Sequence, residues 1–170
     1  MNVGVGLLRE LHVLSTVFWI GIAVTNIAFV VPTAGKLGPD GAKFMGALLR
    51  GPLIMATNAA IVLAALTGLA LYWNDSNGFR EPWLSSGPGI SFTLGALFGL
   101  AAAGVFGAVT TPTFRAMVKL GAEVQAAGGP PKPEQAARLG ALASRSLTVG
   151  RLNAGLLVAA LICMVLGGSF

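Results

Sequence analysis

The feature that most constrains the fold is the stretch between Leu11 and Pro32, about 20 residues without a formal charge near the start of the chain. At about 1.5 Å per residue, a helix of this length crosses a hydrocarbon layer of roughly 30 Å. The only histidine of the sequence, His12, stands at the beginning of this stretch. An ionisable side chain inside lipid is costly unless it faces protein, water or a ligand. The stretch therefore predicts a membrane-spanning helix and makes His12 the first candidate for function.

Four apolar runs of spanning length occur along the 170 residues, of which only 10% are charged. A soluble domain has about 25% charged residues, so this composition is typical of membrane proteins. The runs do not alternate polar and apolar residues, as strands of a membrane barrel do. We therefore predict an all-α integral membrane four-helix bundle, with residues 1–170 forming a single domain. The predicted spans are residues 7–31, 52–73, 90–111 and 147–168.

Three connections join these spans. The first, residues 33–51, contains Gly-Pro-Asp-Gly, which predicts a turn, and then a short amphipathic segment. The second, residues 74–89, is rich in turn residues and carries Trp83, a candidate anchor at the membrane interface. The third, residues 112–146, is predicted to prolong the third helix, to break at residues 128–131, and to begin a helix that leads into the fourth span.

Charge predicts the orientation of the bundle. Nine of the eleven Lys and Arg residues lie in the first and third connections or, as Arg151, at the start of the fourth span, and only Arg9 and Arg80 lie on the opposite side. Because basic connections stay in the cytoplasm, we expect both termini on the non-cytoplasmic side of a bacterial inner membrane, with His12 near the outer face. The basic residues form no continuous face with interleaved aromatics, so the expected partner is the lipid bilayer and not nucleic acid.

Two pairs of segments indicate an internal repeat. Asn58 begins NAAIVLAALTGLAL and Asn153 begins NAGLLVAALICMVL, and Val31-Pro32-Thr33 is matched by Thr111-Pro112-Thr113. We interpret the fold as two tandem helical hairpins in parallel duplication. The alternative is that apolar segments resemble one another by composition. Small residues also recur every four positions in the last three spans, which predicts close helix packing within the chain, in a homo-oligomer or against other membrane subunits.

His12 is the leading candidate site. One interpretation is that its neutral imidazole is an axial ligand of haem b or a ligand of a metal ion. The other is a structural histidine, hydrogen-bonded to Glu10, Ser15 or water. Met164 is the methionine that the topology places at the right depth to be a second ligand. The residues expected to share the helix face of His12 are Ser15 or Thr16, Trp19, Ala23 and Asn26.

A second cluster of candidates is Arg151, Asn153 and Asn58, at the cytoplasmic ends of the fourth and second spans. Arg151 either extends to the membrane surface or points inward and binds an anion. Asn58 and Asn153 lie at matching depth, so they could share a hydrogen bond of roughly 1 kcal/mol that fixes the register of the two helices.

The segment Leu11–Gly21, LHVLSTVFWIG, resembles the first helix of the copper-resistance-D-like membrane proteins and of the related HemJ-type protoporphyrinogen oxidases. In these families a histidine near the outer end of the helix is followed seven residues later by Trp and then by Gly, here His12, Trp19 and Gly21. The resemblance implies that His12 is a haem ligand. It departs at Ile27–Val31, which is apolar where those oxidases carry a basic residue.

Two functional hypotheses follow. The first is an inner-membrane protein that binds haem b or a metal ion through His12 for redox chemistry or metal handling. The second is a non-catalytic subunit or scaffold whose small-residue stripes dock other membrane helices. The sequence has no phosphate-binding glycine loop, and a single histidine leaves no nucleophile–base pair, so an enzyme activity would need a bound cofactor.

Overall fold

The computed structural model describes residues 3–169, and in this range every regular element is a helix. Eight α-helices of very different length are joined there by short turns and by two π-helical turns. In chain order the elements are α1 (Val3–Thr25), a π-turn (Asn26–Val30), α2 (Val31–Lys36), α3 (Gly38–Arg50), α4 (Pro52–Asp75), α5 (Glu81–Leu84), α6 (Gly87–Val105), a π-turn (Phe106–Thr110), α7 (Thr111–Ala126) and α8 (Pro133–Gly167).

Four continuous helical segments, here called the first to fourth long helices, are long and apolar enough to cross a membrane. Each predicted span lies within one of them, apart from the last residue of the fourth span. The all-α prediction is therefore confirmed, and four such helices are compatible with a membrane protein. The long helices cover Val3–Lys36, Pro52–Asp75, Gly87–Ala126 and Pro133–Gly167.

The third connection is organised as the sequence predicts. The third long helix continues to Ala126, the chain turns through Gly128 with φ of +67°, and the fourth long helix begins at Pro133. Glycine adopts positive φ without the steric penalty of a Cβ atom, so this position ends the helix cleanly.

The first long helix does not end before Pro32, contrary to the predicted span of residues 7–31, whereas the third continues past Pro112 as predicted. Both run on through a π-turn, in which the N–H of Val31 donates to the carbonyl of Asn26, and that of Thr111 to the carbonyl of Phe106. Proline lacks an N–H and its ring crowds the carbonyl four residues earlier. The wider π-turn accommodates both the missing N–H and the proline ring, so the helix changes its hydrogen-bond register and continues.

The turn predicted at Gly-Pro-Asp-Gly is wrong in position. The chain turns one residue earlier, where the N–H of Leu37 donates to the carbonyl of Ala34, and Gly38 with φ of +55° already belongs to α3. Gly41 then passes so close to the preceding helix that an added Cβ would overlap the carbonyl oxygen of Ala34. This contact fixes the angle between α2 and α3.

The four long helices pack as two hairpins around one small core. Helix α1 packs mainly against α4, and α6 packs mainly against α8. Large apolar side chains such as Leu14, Leu66 and Val165 point outward, as expected for a surface in contact with lipid. The core consists of small residues around one tryptophan and draws on all four long helices: Trp19, Ala60, Ala64, Ala102 and Leu157.

The short connection between the second and third long helices is held by aromatic contacts. Trp83, the predicted interface anchor, is half-buried and meets the ring of Tyr72 edge-on at 5.3 Å between centroids. Its other neighbour is Phe92, which stacks on it at 6.3 Å. The connection therefore folds back on the ends of the two helices that it joins.

Candidate functional site

The ring of His12 is fixed against the second long helix by hydrogen bonds at one nitrogen. Nδ1 lies 3.0 Å from the carbonyl oxygen of Ala64 and 3.3 Å from Oγ1 of Thr67. A carbonyl oxygen only accepts hydrogen bonds, so Nδ1 carries the proton and donates it. In the neutral imidazole the lone pair is then on Nε2.

A glycine makes this position of the ring accessible. A Cβ atom added to Gly68 would lie 2.8 Å from Cε1 of His12, closer than non-bonded atoms approach one another, and 3.2 Å from Nδ1. The hydrogen-bond partners of the His12 ring among the described residues are Ala64 and Thr67, and not Glu10 or Ser15, the side chains expected for a structural histidine. Ser15 is occupied elsewhere, since its hydroxyl donates to the carbonyl of Leu11 at 2.7 Å and to that of His12 at 3.0 Å.

The predicted face of α1 does look into the bundle. Ser15 and Trp19 are the buried residues of α1, and Ala23 packs against the core. Trp19 is 5% exposed and lies at the centre of the core. The predicted partner Met164 lies on α8, where its methyl group would be 2.9 Å from a Cβ added to Gly95. His12 and Met164 are thus held by different helix pairs.

No protein-family model, curated protein or solved structure matches the chain.

A bare metal ion finds few ligands here. Within residues 3–169 no group of three or more His, Cys, Asp or Glu side chains is close enough together to hold one. Cys163 is a free thiol and half-buried in α8. A bare metal ion at His12 would therefore lack a second and third ligand of these types among the described residues.

A second site lies between Trp19 and the end of the bundle that carries the basic connections. There the helices line a partly open cavity of about 90 Å³, here called the chamber. Its walls are mostly aliphatic and aromatic side chains, contributed by the long helices and by α3. Its polar lining consists of Trp19, Asn26, Thr57, Thr110, Ser146 and Asn153.

Three of the polar atoms at the chamber are buried and lack a partner among the described residues: Nε1 of Trp19, Oγ1 of Thr110 and Oδ1 of Asn153. Buried polar groups in native proteins are nearly always hydrogen-bonded, because an unpaired one costs about 1–3 kcal/mol. Thr57 differs, since its hydroxyl donates to the carbonyl of Leu53 at 2.8 Å. Oγ1 of Thr16 is the one other such atom among the described residues and does not line the chamber, so most of the unpartnered polar atoms belong to residues around this one cavity.

The two π-turns border this chamber. Asn26 begins the first π-turn, Phe106 and Thr110 begin and end the second, and all three line the cavity. A π-turn carries one residue more than an α-helical turn, which redirects side chains, and such turns are frequent at functional sites. The sequence analysis names Trp19, Asn26 and Asn153 but misses Thr110. The one signal near Thr110 is Pro112, and a proline after an apolar run is typical of a helix end as well as of a π-turn.

A wider groove of about 440 Å³ adjoins the chamber. The two cavities share four lining residues, Leu49, Ile54, Phe106 and Phe114, which form the partition between them. The groove is further lined by Asn58, Thr111, Arg115, Val118 and Lys119.

The two asparagines at matching sequence positions have different environments. Asn58 is exposed and its amide donates to the carbonyl of Ile54 at 2.8 Å, whereas Asn153 is 5% exposed. In the described part of the chain they share no hydrogen bond, contrary to the predicted register pair. Arg151 is exposed, as expected if its side chain extends to the membrane surface.

Proposed function

We propose that this chain is a membrane protein that holds haem b through Nε2 of His12. The observation that carries the proposal is the hydrogen bond from Nδ1–H to the carbonyl of Ala64, at 3.0 Å. Ligating histidines almost always donate their second ring N–H to a carbonyl or carboxylate, which sets the tautomer and the orientation of the ring. The resemblance of Leu11–Gly21 to the first helix of the HemJ-type oxidases, in which the corresponding histidine is the expected haem ligand, supports the same assignment.

The donor set fits a haem iron better than a bare ion. A porphyrin supplies four nitrogen ligands, so the protein has to provide only an axial ligand, and one histidine is sufficient for that. A metal ion without a porphyrin needs three or four protein ligands. When bound, haem b supplies one-electron redox chemistry. The residues of this chain would orient the imidazole, with the proton on Nδ1 donated to the carbonyl oxygen of Ala64 and Nε2 left free for the iron.

The proposal includes a bacterial inner membrane as the location, with both termini on the non-cytoplasmic side. Support comes from the nine basic residues at one end of the bundle against two at the other. It also includes a parallel duplication of two helical hairpins. Support comes from the two π-turns, since Asn26–Val30 and Phe106–Thr110 each directly precede a residue followed by proline.

The scaffold alternative is less well supported, because many of the small residues on which it depends are used inside the chain. Ala60 and Ala64 belong to the core, Gly68 lies against His12, and Gly95 lies against Met164. Residues buried in this way do not form a docking stripe for other membrane helices.

The absorption spectrum of the purified protein tests the proposal. We expect a Soret band in the wild type, either as purified or after reconstitution with haemin, and its loss in His12→Ala. Ser15→Ala is the matched control, since it removes a buried polar group one turn away and leaves the imidazole intact. Circular dichroism verifies that both variants remain helical. A wild type that stays colourless after reconstitution, or an unchanged Soret band in His12→Ala, contradicts the proposal.

A further inference from the structure

The chamber has the properties of a second ligand site, and nothing in the haem proposal depends on it or uses it. We propose that it binds a small neutral aromatic alcohol of the phenol class. The inference rests on the three unpartnered polar atoms, on the absence of charge in its described lining, and on its aromatic walls.

The polar atoms specify a hydroxyl group. Nε1–H of Trp19 only donates a hydrogen bond and Oδ1 of Asn153 only accepts one, and both residues are 5% exposed. A hydroxyl group both donates and accepts, so it can pair with either atom, whereas a group that only donates or only accepts pairs with one of them. Oγ1 of Thr110 adapts to either role because its proton rotates.

The lining also excludes anions. The described residues around the chamber include no Lys, Arg or His, so a carboxylate or phosphate would lose its hydration without gaining a cation. Arg115 and Lys119 lie on the groove outside the partition. A ligand that enters the chamber must therefore be neutral.

The walls and the size favour a ring. Trp19, Phe106 and Phe114 contribute aromatic surface, and most other lining side chains are aliphatic. Since one water needs about 10–15 Å³ of cavity, a chamber of about 90 Å³ holds several waters or one small ring. Water can hydrogen-bond to the polar atoms but gains no free energy from contact with the apolar walls. A phenol can hydrogen-bond to the polar atoms and also pack its ring against the walls. Phe106 and Phe114 also border the groove, so a membrane-soluble ligand reaches the chamber by displacing this partition.

Binding of phenol to the full chain in lipid nanodiscs tests the proposal, with empty nanodiscs as background for partitioning into lipid. We expect saturable binding of phenol by calorimetry, and no saturable binding of benzene or benzoate. Benzene has the ring without the hydroxyl group, and benzoate replaces it with a charge. If only water fills the chamber, phenol shows no saturable component, and that result overturns the proposal.

Variants locate the site. Asn153→Leu keeps the side-chain volume and removes the acceptor, so we expect phenol to bind about tenfold more weakly. Asn58→Leu is the matched control at the corresponding position of the second long helix, where the side chain is exposed, and we expect its phenol affinity to change by less than about twofold.

If Asn153→Leu does not fold, the phenol affinity of Trp19→Phe or Thr110→Val is measured instead, since each of these variants removes another polar atom of the chamber. Equal binding of phenol and benzene, or unchanged phenol affinity in all folded chamber variants, overturns the proposal.

Discussion

Gly68 determines how closely the ring of His12 approaches the second long helix. Replacement by alanine places a Cβ 2.8 Å from Cε1, so the ring must move away from the carbonyl of Ala64. The loss of a partner for a buried donor costs about 1–3 kcal/mol, which exceeds the roughly 0.5–1 kcal/mol that alanine gains over glycine in a helix.

We therefore expect Gly68→Ala to unfold at lower temperature than the wild type and to bind haem more weakly. Gly99→Ala is the control, since a Cβ at that position meets nothing within 4 Å and is expected to leave stability unchanged or slightly raised. Thermal unfolding in detergent and the Soret absorbance measure the two effects. Equal unfolding temperatures for the two variants would contradict the packing of His12 on Gly68.

At the same scale, the sequence identifies His12 and its inward face but not its partners. The face is predictable because residues three, four and seven positions apart share one side of a helix. Ala64, Thr67 and Gly68 could not be named, because the sequence does not specify which turn of α4 faces which turn of α1. Asn58 and Asn153 show the same limit, since one is exposed and the other buried although their sequence contexts match.

Among the helical elements, the close contact between α2 and α3 depends on Gly41. An added Cβ would overlap the carbonyl oxygen of Ala34, and backbone atoms cannot move aside by changing a rotamer. We expect Gly41→Ala to destabilise the protein by about 3 kcal/mol, at the upper end of the range for overpacking.

Gly35→Ala, in the neighbouring helix, provides the comparison because its Cβ meets nothing within 4 Å. Unfolding of both variants by heat or denaturant should show a marked loss only for Gly41→Ala. A similar stability of the two proteins would mean that α2 and α3 separate at little cost.

The long helices themselves were predictable, because an apolar run of spanning length in lipid has to satisfy its backbone hydrogen bonds internally. The continuation through Pro32 was not, and neither π-turn was, although the third helix was predicted to extend past Pro112. A proline after an apolar run is also typical of a helix end, and the sequence does not distinguish an end from a π-turn. The chamber could not be predicted for the same reason, since both π-turns contribute to its lining.

For the molecule as a whole, the uneven distribution of basic residues gives a testable orientation. In a Cys163→Ala background, a single cysteine at Arg80 should react with a membrane-impermeant maleimide on intact cells. A cysteine at Lys132 should react only after the membrane is opened. Both positions are exposed, so accessibility in the folded protein does not limit either reaction. Labelling of the Lys132 position on intact cells would show that the topology is the opposite of the predicted one, with His12 on the cytoplasmic side.

The π-turns also change how the outer surface of the molecule must be assigned. Each additional residue in a helix rotates the later residues by about 100°, so a turn with one extra residue shifts the phase of all later positions by that angle. A helical wheel drawn straight through Asn26–Val30 or Phe106–Thr110 therefore misassigns every residue beyond it by more than a quarter of a revolution. Lipid-facing and inward positions on α2 and α7 have to be counted afresh from Val31 and Thr111.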